Sequence, residues 1–140
     1  MQALAGRIIS VNHHIIMGID IYTRYLGQTP EERNEQSSHW LCTDGGQVGY
    51  PREAYHGEPY VTRFLCREAF TTGEAAIPAW LLRKRLAKAV RLVAVRERAL
   101  YPDESEEEIQ AICDSYTAFV EHCERIEAMI GEPVIIVVSY

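Results

Sequence analysis

Apolar positions along the chain follow two rhythms, one of period two and one of helical spacing. Ile19, Ile21, Thr23 and Tyr25 alternate with Asp20, Tyr22 and Arg24, the signature of a half-buried strand. Thr29-Pro30-Glu31-Glu32 then supplies an N-cap, a proline at the first helical position and acids in the first turn. The helix it predicts is short, because residues 34–38 are polar all round. Residues 39–42 read as a strand stopped by the turn Asp44-Gly45-Gly46. Residues 48–59 hold Gly49, Pro51, Gly57 and Pro59 and read mostly as loop. Residues 60–66 are β-branched and aromatic and read as a strand, and Thr71-Thr72-Gly73-Glu74 breaks the chain again.

The helical rhythm takes over at Pro78, which opens a helix running to about Leu100. Tyr101-Pro102-Asp103 interrupts it, and Ser105-x-x-Glu108 forms a capping box for a second helix that Gly131 and Pro133 end. Ile109, Ile112, Tyr116, Phe119, Cys123, Ile126 and Ile130 recur at alternating three and four along that helix. This is the seam of a helix packed nearly parallel to a partner. Leu82, Leu86, Ala89, Val93 and Leu100 form a matching stripe on the first helix, so residues 78–131 predict an antiparallel helical hairpin. Residues 134–138 are an unbroken apolar run, expected of a strand buried on both faces. The order points to one α+β domain over residues 1–140. It is a small, mostly antiparallel sheet, packed on one face by the long hairpin, with the last strand at the C-terminus.

Composition narrows the class. Hydrophobic residues make up 47% and charged residues 24% of 140, which excludes disorder and low complexity. No apolar run reaches the length of a membrane span. The net charge of −6 disfavours nucleic acid as a partner. Cys42, Cys66, Cys113 and Cys123 form no C-x-x-C pair and no zinc spacing, so free, packed thiols in a cytoplasmic protein are expected. Residues 1–16 lack the pattern of a signal peptide. Met17 offers a second start, which would make them an upstream extension.

Charge divides between the long helices. Residues 78–100 hold seven basic residues and one acid, and residues 103–132 hold ten acids and one arginine. Lys84, Lys88, Arg91 and Arg98 fall within about 80° of one another at about 100° per residue, opposite the apolar stripe. They make either a ridge for phosphates or an acidic partner, or a solvated face partly neutralised by the acidic helix.

One segment concentrates chemistry. Tyr50-Pro51-Arg52-Glu53-Ala54-Tyr55-His56-Gly57-Glu58-Pro59-Tyr60 is the densest run of groups that hydrogen-bond, stack or titrate. Arg52 suits a phosphate or carboxylate. Tyr55 and Tyr60 suit a flat ring, and His56 titrates near neutrality. Asp20 and Tyr22 complete a pocket if their strand lies alongside. Arg63, read as sharing a strand face with Val61 and Leu65, reaches it only if that face is open. The alternative is a structural loop whose tyrosines cover the core and whose arginine pairs with Glu53 or Glu58. A metal site from His39, Cys42, His56 and Glu58 needs a convergence that spacing does not supply, and His13 and His14 would face opposite sides of a strand. Cys42 with His39 or His56 lacks a nucleophile signature.

Met17-Gly18-Ile19-Asp20-Ile21-Tyr22 and Gly49-Tyr50-x-Arg52-Glu53-Ala54-Tyr55-His56-Gly57 resemble segments of small uncharacterised proteins of bacteria and their phages. The resemblance implies an accessory role and Met17 as the usual start, and no mechanism. The leading expectation is a non-catalytic domain binding an anionic or nucleotide-like small molecule through Arg52, Tyr55, His56, Glu58 and Tyr60, with Asp20 and Tyr22, and without cofactor or metal. The second is an interaction module, dimeric or partner-binding through the long helices, with Ile112, Phe119 and Ile126 at the interface. The third is a small hydrolase or transferase using His56 and Glu58.

Overall fold

The alternating segment forms strand β1 (Gly18–Arg24), and the proline-opened helix is α1 (Pro30–Ser38). Strand β2 (Arg52–Ala54) is followed by the short helices α2 (Val61–Leu65) and α3 (Arg67–Thr72) and by strand β3 (Glu74–Ala76). The long helices α4 (Ala79–Leu100) and α5 (Glu106–Ile130) lead into the last strand, β4 (Ile135–Ser139). The structure, a computed structural model, describes residues 18–38 and 51–140. Residues 1–17, with His13, His14 and Met17, lie outside the described residues. So do residues 39–50, with the expected strand 39–42 and its turn.

The sheet runs β2-β1-β4-β3, every pairing antiparallel. Asp20 stands opposite Arg52 and Ile19 opposite Glu53, while Ile21 faces Val138 across the other ladder. Ile19, Ile21, Ile136 and Val138 point to one face and join the stripe of α4 and the seam of α5 in a single core. The α+β reading therefore holds, with the antiparallel hairpin covering one face. Ser105 accepts from the Glu108 amide at 3.1 Å while the Glu108 carboxylate accepts from the Ser105 amide at 2.9 Å, the reciprocal capping box expected of α5. Gly131, at φ 79°, ends α5 in the left-handed conformation that favours glycine. Pro78 has no side chain to cap α4, and Glu127 of α5 does so instead, accepting from the Ala79 amide at 2.8 Å. No helix among the described residues is long and apolar enough to cross a membrane.

Four expectations are corrected. Residues 60–66 are not a strand. Val61–Leu65 is helical because a carboxylate from β2 caps its first turn, a contact the local sequence does not announce. Arg63 accordingly projects to solvent rather than from a strand face. The polar stretch after Asn34 stays helical to Ser38, held by Gln36, whose side chain is buried against β1. β4 is not buried on both faces: Ile136 and Val138 are covered by helices, whereas Ile135 and Val137 on the opposite face are half-buried.

The seam residues Ile112, Phe119 and Ile126 are 3%, 1% and 3% exposed. They are spent on this chain's own core, because α4 and the sheet cover them, and none is available to a partner. Phe119→Ala is expected to destabilise the fold by about 3–5 kcal/mol in urea unfolding. A folded variant of unchanged stability and altered stoichiometry would return Phe119 to an interface.

Candidate functional site

The tyrosine-rich loop is built on a buried ion pair. Alternation along β2 turns Glu53 toward the helices, where Arg96 of α4 meets it, Nε to Oε2, at 3.0 Å. The side chains of both are almost fully buried, at 7% and 5% exposed. The Glu53 carboxylate also accepts from the backbone amides of Val61 at 2.6 Å and Thr62 at 3.0 Å, which fixes the start of α2. Burial pushes its carboxyl up from the ordinary range, against the pull of those amides, Arg96 and the Thr62 hydroxyl. Donors alone surround it, so the geometry fits the ionised form.

Arg96 spends the rest of its guanidinium on the loop. Nη1 donates to the carbonyls of Gly57 and Pro59, each at 2.6 Å, and Nη2 donates to Ala54 at 3.1 Å. Its charge also lies 5.1 Å from the centre of the Tyr60 ring. The Gly57 amide donates to the Tyr60 hydroxyl at 3.0 Å, and the Glu58–Pro59 peptide is cis. Tyr116, buried in the α5 seam, finds the partner its hydroxyl requires in Thr62.

Several of the expected ligand residues are engaged by partners within the chain. Arg52 and Asp20 do meet, at 3.3 Å across the β1–β2 ladder, so the guanidinium is already engaged by a carboxylate. Burial raises the Asp20 carboxyl and the neighbouring Arg52 opposes that rise. Gly18 leaves room for this: a Cβ there would come within 2.4–2.6 Å of the Arg52 guanidinium. Tyr22 is half-buried on the same sheet face as Asp20. Tyr60 is buried under Arg96, whereas Tyr55 is 40% exposed and stacks between Tyr60 at 5.2 Å and Tyr140 at 5.4 Å. His56 is exposed, and Glu58 is exposed and paired with Arg63 at 2.6 Å. The cavity lined by Arg52, Glu53, Arg96 and Tyr116 measures about 10 Å³. That is room for one water.

A second polar cluster fastens α1 to the sheet. Thr23 lies beyond the end of β2, and the Gln36 side chain takes the place of a neighbouring strand. Its Oε1 accepts from the Thr23 amide at 2.6 Å and its Nε2 donates to the Thr23 carbonyl at 3.1 Å. Next to it, His122 of α5 meets the Thr23 hydroxyl at 3.4 Å and Glu32 at 3.5 Å. Both contacts use the same ring nitrogen, Nε2. A nucleophile relay needs hydroxyl and carboxylate on opposite ring nitrogens, so this trio is not one. Burial, followed by the bond to Glu32, pushes the Tyr25 phenol up to about 12.

Among the described residues no group of three or more His, Cys, Asp or Glu could hold a metal. His39 and Cys42 lie outside them. Cys66, Cys113 and Cys123 are free and buried, and burial raises all three thiols away from reactivity. At the other end of the hairpin an open cleft of about 570 Å³ is lined by Trp80, Glu124, Glu127, Ala128, Glu132 and Pro133.

Trp80, Arg96 and the buried role of Glu53 escape a local reading of the sequence. Arg96 had a signal: the α4 stripe 82, 86, 89, 93, 100 skips one turn, and residue 96 fills the gap at regular spacing. An arginine in an apolar stripe marks a buried partner. Trp80 precedes the stripe on the outward face and had none beyond its size.

Arg96→Met leaves Glu53 buried without its counter-charge and is expected to cost about 3–5 kcal/mol in denaturant unfolding; a loss below about 1 kcal/mol would mean the loop is held otherwise. His122 gives a pH dependence. Burial holds its imidazole below the ordinary value of 6.5, against the pull of Glu32, and Arg125 adds to the lowering. The unfolded chain therefore takes up a proton that the folded chain resists. This contribution to stability is complete above about pH 6.5 and is lost as pH falls through the lower folded value. Melting curves from about pH 7.5 to 5.5 should fall more steeply for the native chain than for His122→Gln. Parallel curves would show that His122 is not buried neutral.

No family model matches the chain, and no curated protein and no solved structure matches it. What it does has to be read from this geometry.

Proposed function

We propose that the chain is an interaction module that binds an acidic protein surface through the outward face of α4. The observation that carries this is a stripe in which Trp80 and Val95, 63% and 62% exposed, flank Lys84, Lys88 and Arg91. At about 100° per residue these five and Arg98 fall within about 80° of arc. Arg98 is occupied by Glu106 at 2.8 Å, and Lys88 lies 5.1 Å over the Phe64 ring. Lys84 and Arg91 form no ion pair among the described residues. Single exposed apolar residues are ordinary on any surface. An indole and a valine set along exposed basic side chains instead match the aromatic and arginine enrichment of contact surfaces. Nucleic acid fits less well, since the acids of α5 run beside the stripe and would repel phosphates.

Small-molecule binding at the tyrosine loop is the second reading. Its support is the exposed pair Tyr55 and Tyr140, at 40% and 52%, beside an exposed His56. It is weakened because Arg52 and Tyr60 are committed to internal contacts.

Selection of displayed random dodecapeptides on sparsely immobilised protein tests the first reading. Peptides rich in Asp and Glu should be enriched, and should bind Lys84→Glu/Arg91→Glu at least about tenfold more weakly. No enrichment, or enriched peptides indifferent to the double substitution, would refute it.

A further inference from the structure

We infer that the acidic partner is a second copy of this chain, laid hairpin against hairpin so that α4 of each covers α5 of the other. The inference rests on the interaction reading above and names the surface that α4 meets. Glu107, Asp114 and Glu121 are exposed on α5 and recur every seven residues, which confines them to about 40° of arc. Like Lys84 and Arg91, they form no ion pair among the described residues. Asp114 accepts from Gln110 of its own helix at 2.9 Å, and Glu121 lies in the field of Arg83. The chain thus presents a basic ridge and an acidic ridge side by side on adjacent helices, without ion pairs at Lys84, Arg91, Asp114 and Glu121 among the described residues.

The two ridges are in register. Arg83 meets Glu124 at 2.6 Å near one end of the hairpin, the Cys113 thiol donates to the Val90 carbonyl at 3.6 Å, and Arg98 meets Glu106 at 2.8 Å near the other end. These contacts set Lys84 level with Glu121 and Arg91 level with Asp114. A two-fold axis parallel to the helices and above their seam exchanges α4 for α5 and preserves every level. It therefore lays Lys84 of each copy over Glu121 of the other, and Arg91 over Asp114. The symmetry repeats both pairs. Trp80 then stands level with Arg125 of the other copy, an exposed arginine on the same arc as the acids, which offers its cation to the indole face. Pairing across a single hairpin is already supplied by Arg83–Glu124 and Arg98–Glu106, and it leaves the outer ridges unmatched. Exposed ion pairs are individually weak, so the dimer should depend on concentration and dissolve in salt.

Sedimentation velocity on the whole chain, from about 5 to 500 µM at low and high salt, tests this. The native chain should pass from monomer to dimer at low salt and return toward monomer at high salt. Lys84→Glu/Arg91→Glu makes both ridges acidic, and Asp114→Lys/Glu121→Lys makes both basic. Each variant alone should stay monomeric with a native circular dichroism spectrum, and an equimolar mixture of the two should dimerise. A native chain monomeric throughout, variants that still dimerise alone, or a mixture that stays monomeric would each overturn the second-copy assignment. Acidic peptides that bind a strictly monomeric native chain would leave the interaction reading standing without it, and the loss of both results would remove both.

Discussion

The ion pair between Glu53 and Arg96 joins parts of the chain that otherwise share no covalent logic. One carboxylate on a three-residue strand sets where α2 begins, and one guanidinium on α4 gathers three carbonyls of the loop before it. Two buried charges are costly to desolvate, and the cost is offset only when nearly every donor and acceptor is used. Here the remaining valences go to the backbone, so the pair sets the path of residues 54–62 rather than merely filling a gap. The sheet edge, the loop and the hairpin are positioned relative to one another by this contact.

That constraint shapes what the molecule can present to others. Residues that look chemical are engaged within the chain: Arg52 by Asp20, Tyr60 by Arg96 and, at the surface, Glu58 by Arg63. The helices divide their charge differently. Arg83 and Arg98 pair across the hairpin, while the exposed Lys84, Arg91, Glu107, Asp114 and Glu121 form no ion pair among the described residues.

Much of the architecture was legible because it rests on local patterns. The alternation after Gly18, the stripe of α4, the capping box at Ser105 and the stop at Gly131 each name their element within a few residues. The 60–66 segment was not legible: its β-branched and aromatic content favours a strand, and only a carboxylate eight residues earlier makes it helical. The α5 seam was visible as a seam, but sequence spacing does not say whether its partner belongs to the same chain. The tyrosine loop was legible as a cluster but not as an arrangement. A dense cluster of hydrogen-bonding groups reads alike whether it binds a ligand or ties down a turn, and the arginine that ties this one down lies about forty residues downstream.

The glutamine amide beside Thr23 has an effect beyond holding α1. Where β2 stops, β1 would expose a bare N–H and C=O to any extended segment able to extend the sheet, a known route to misassembly. Gln36 occupies that position with a single peptide-like group that cannot itself be extended. Strand addition is thereby closed at Thr23, beside the charged Arg24 that ends β1, while the outer strands of the sheet among the described residues are β2 and β3.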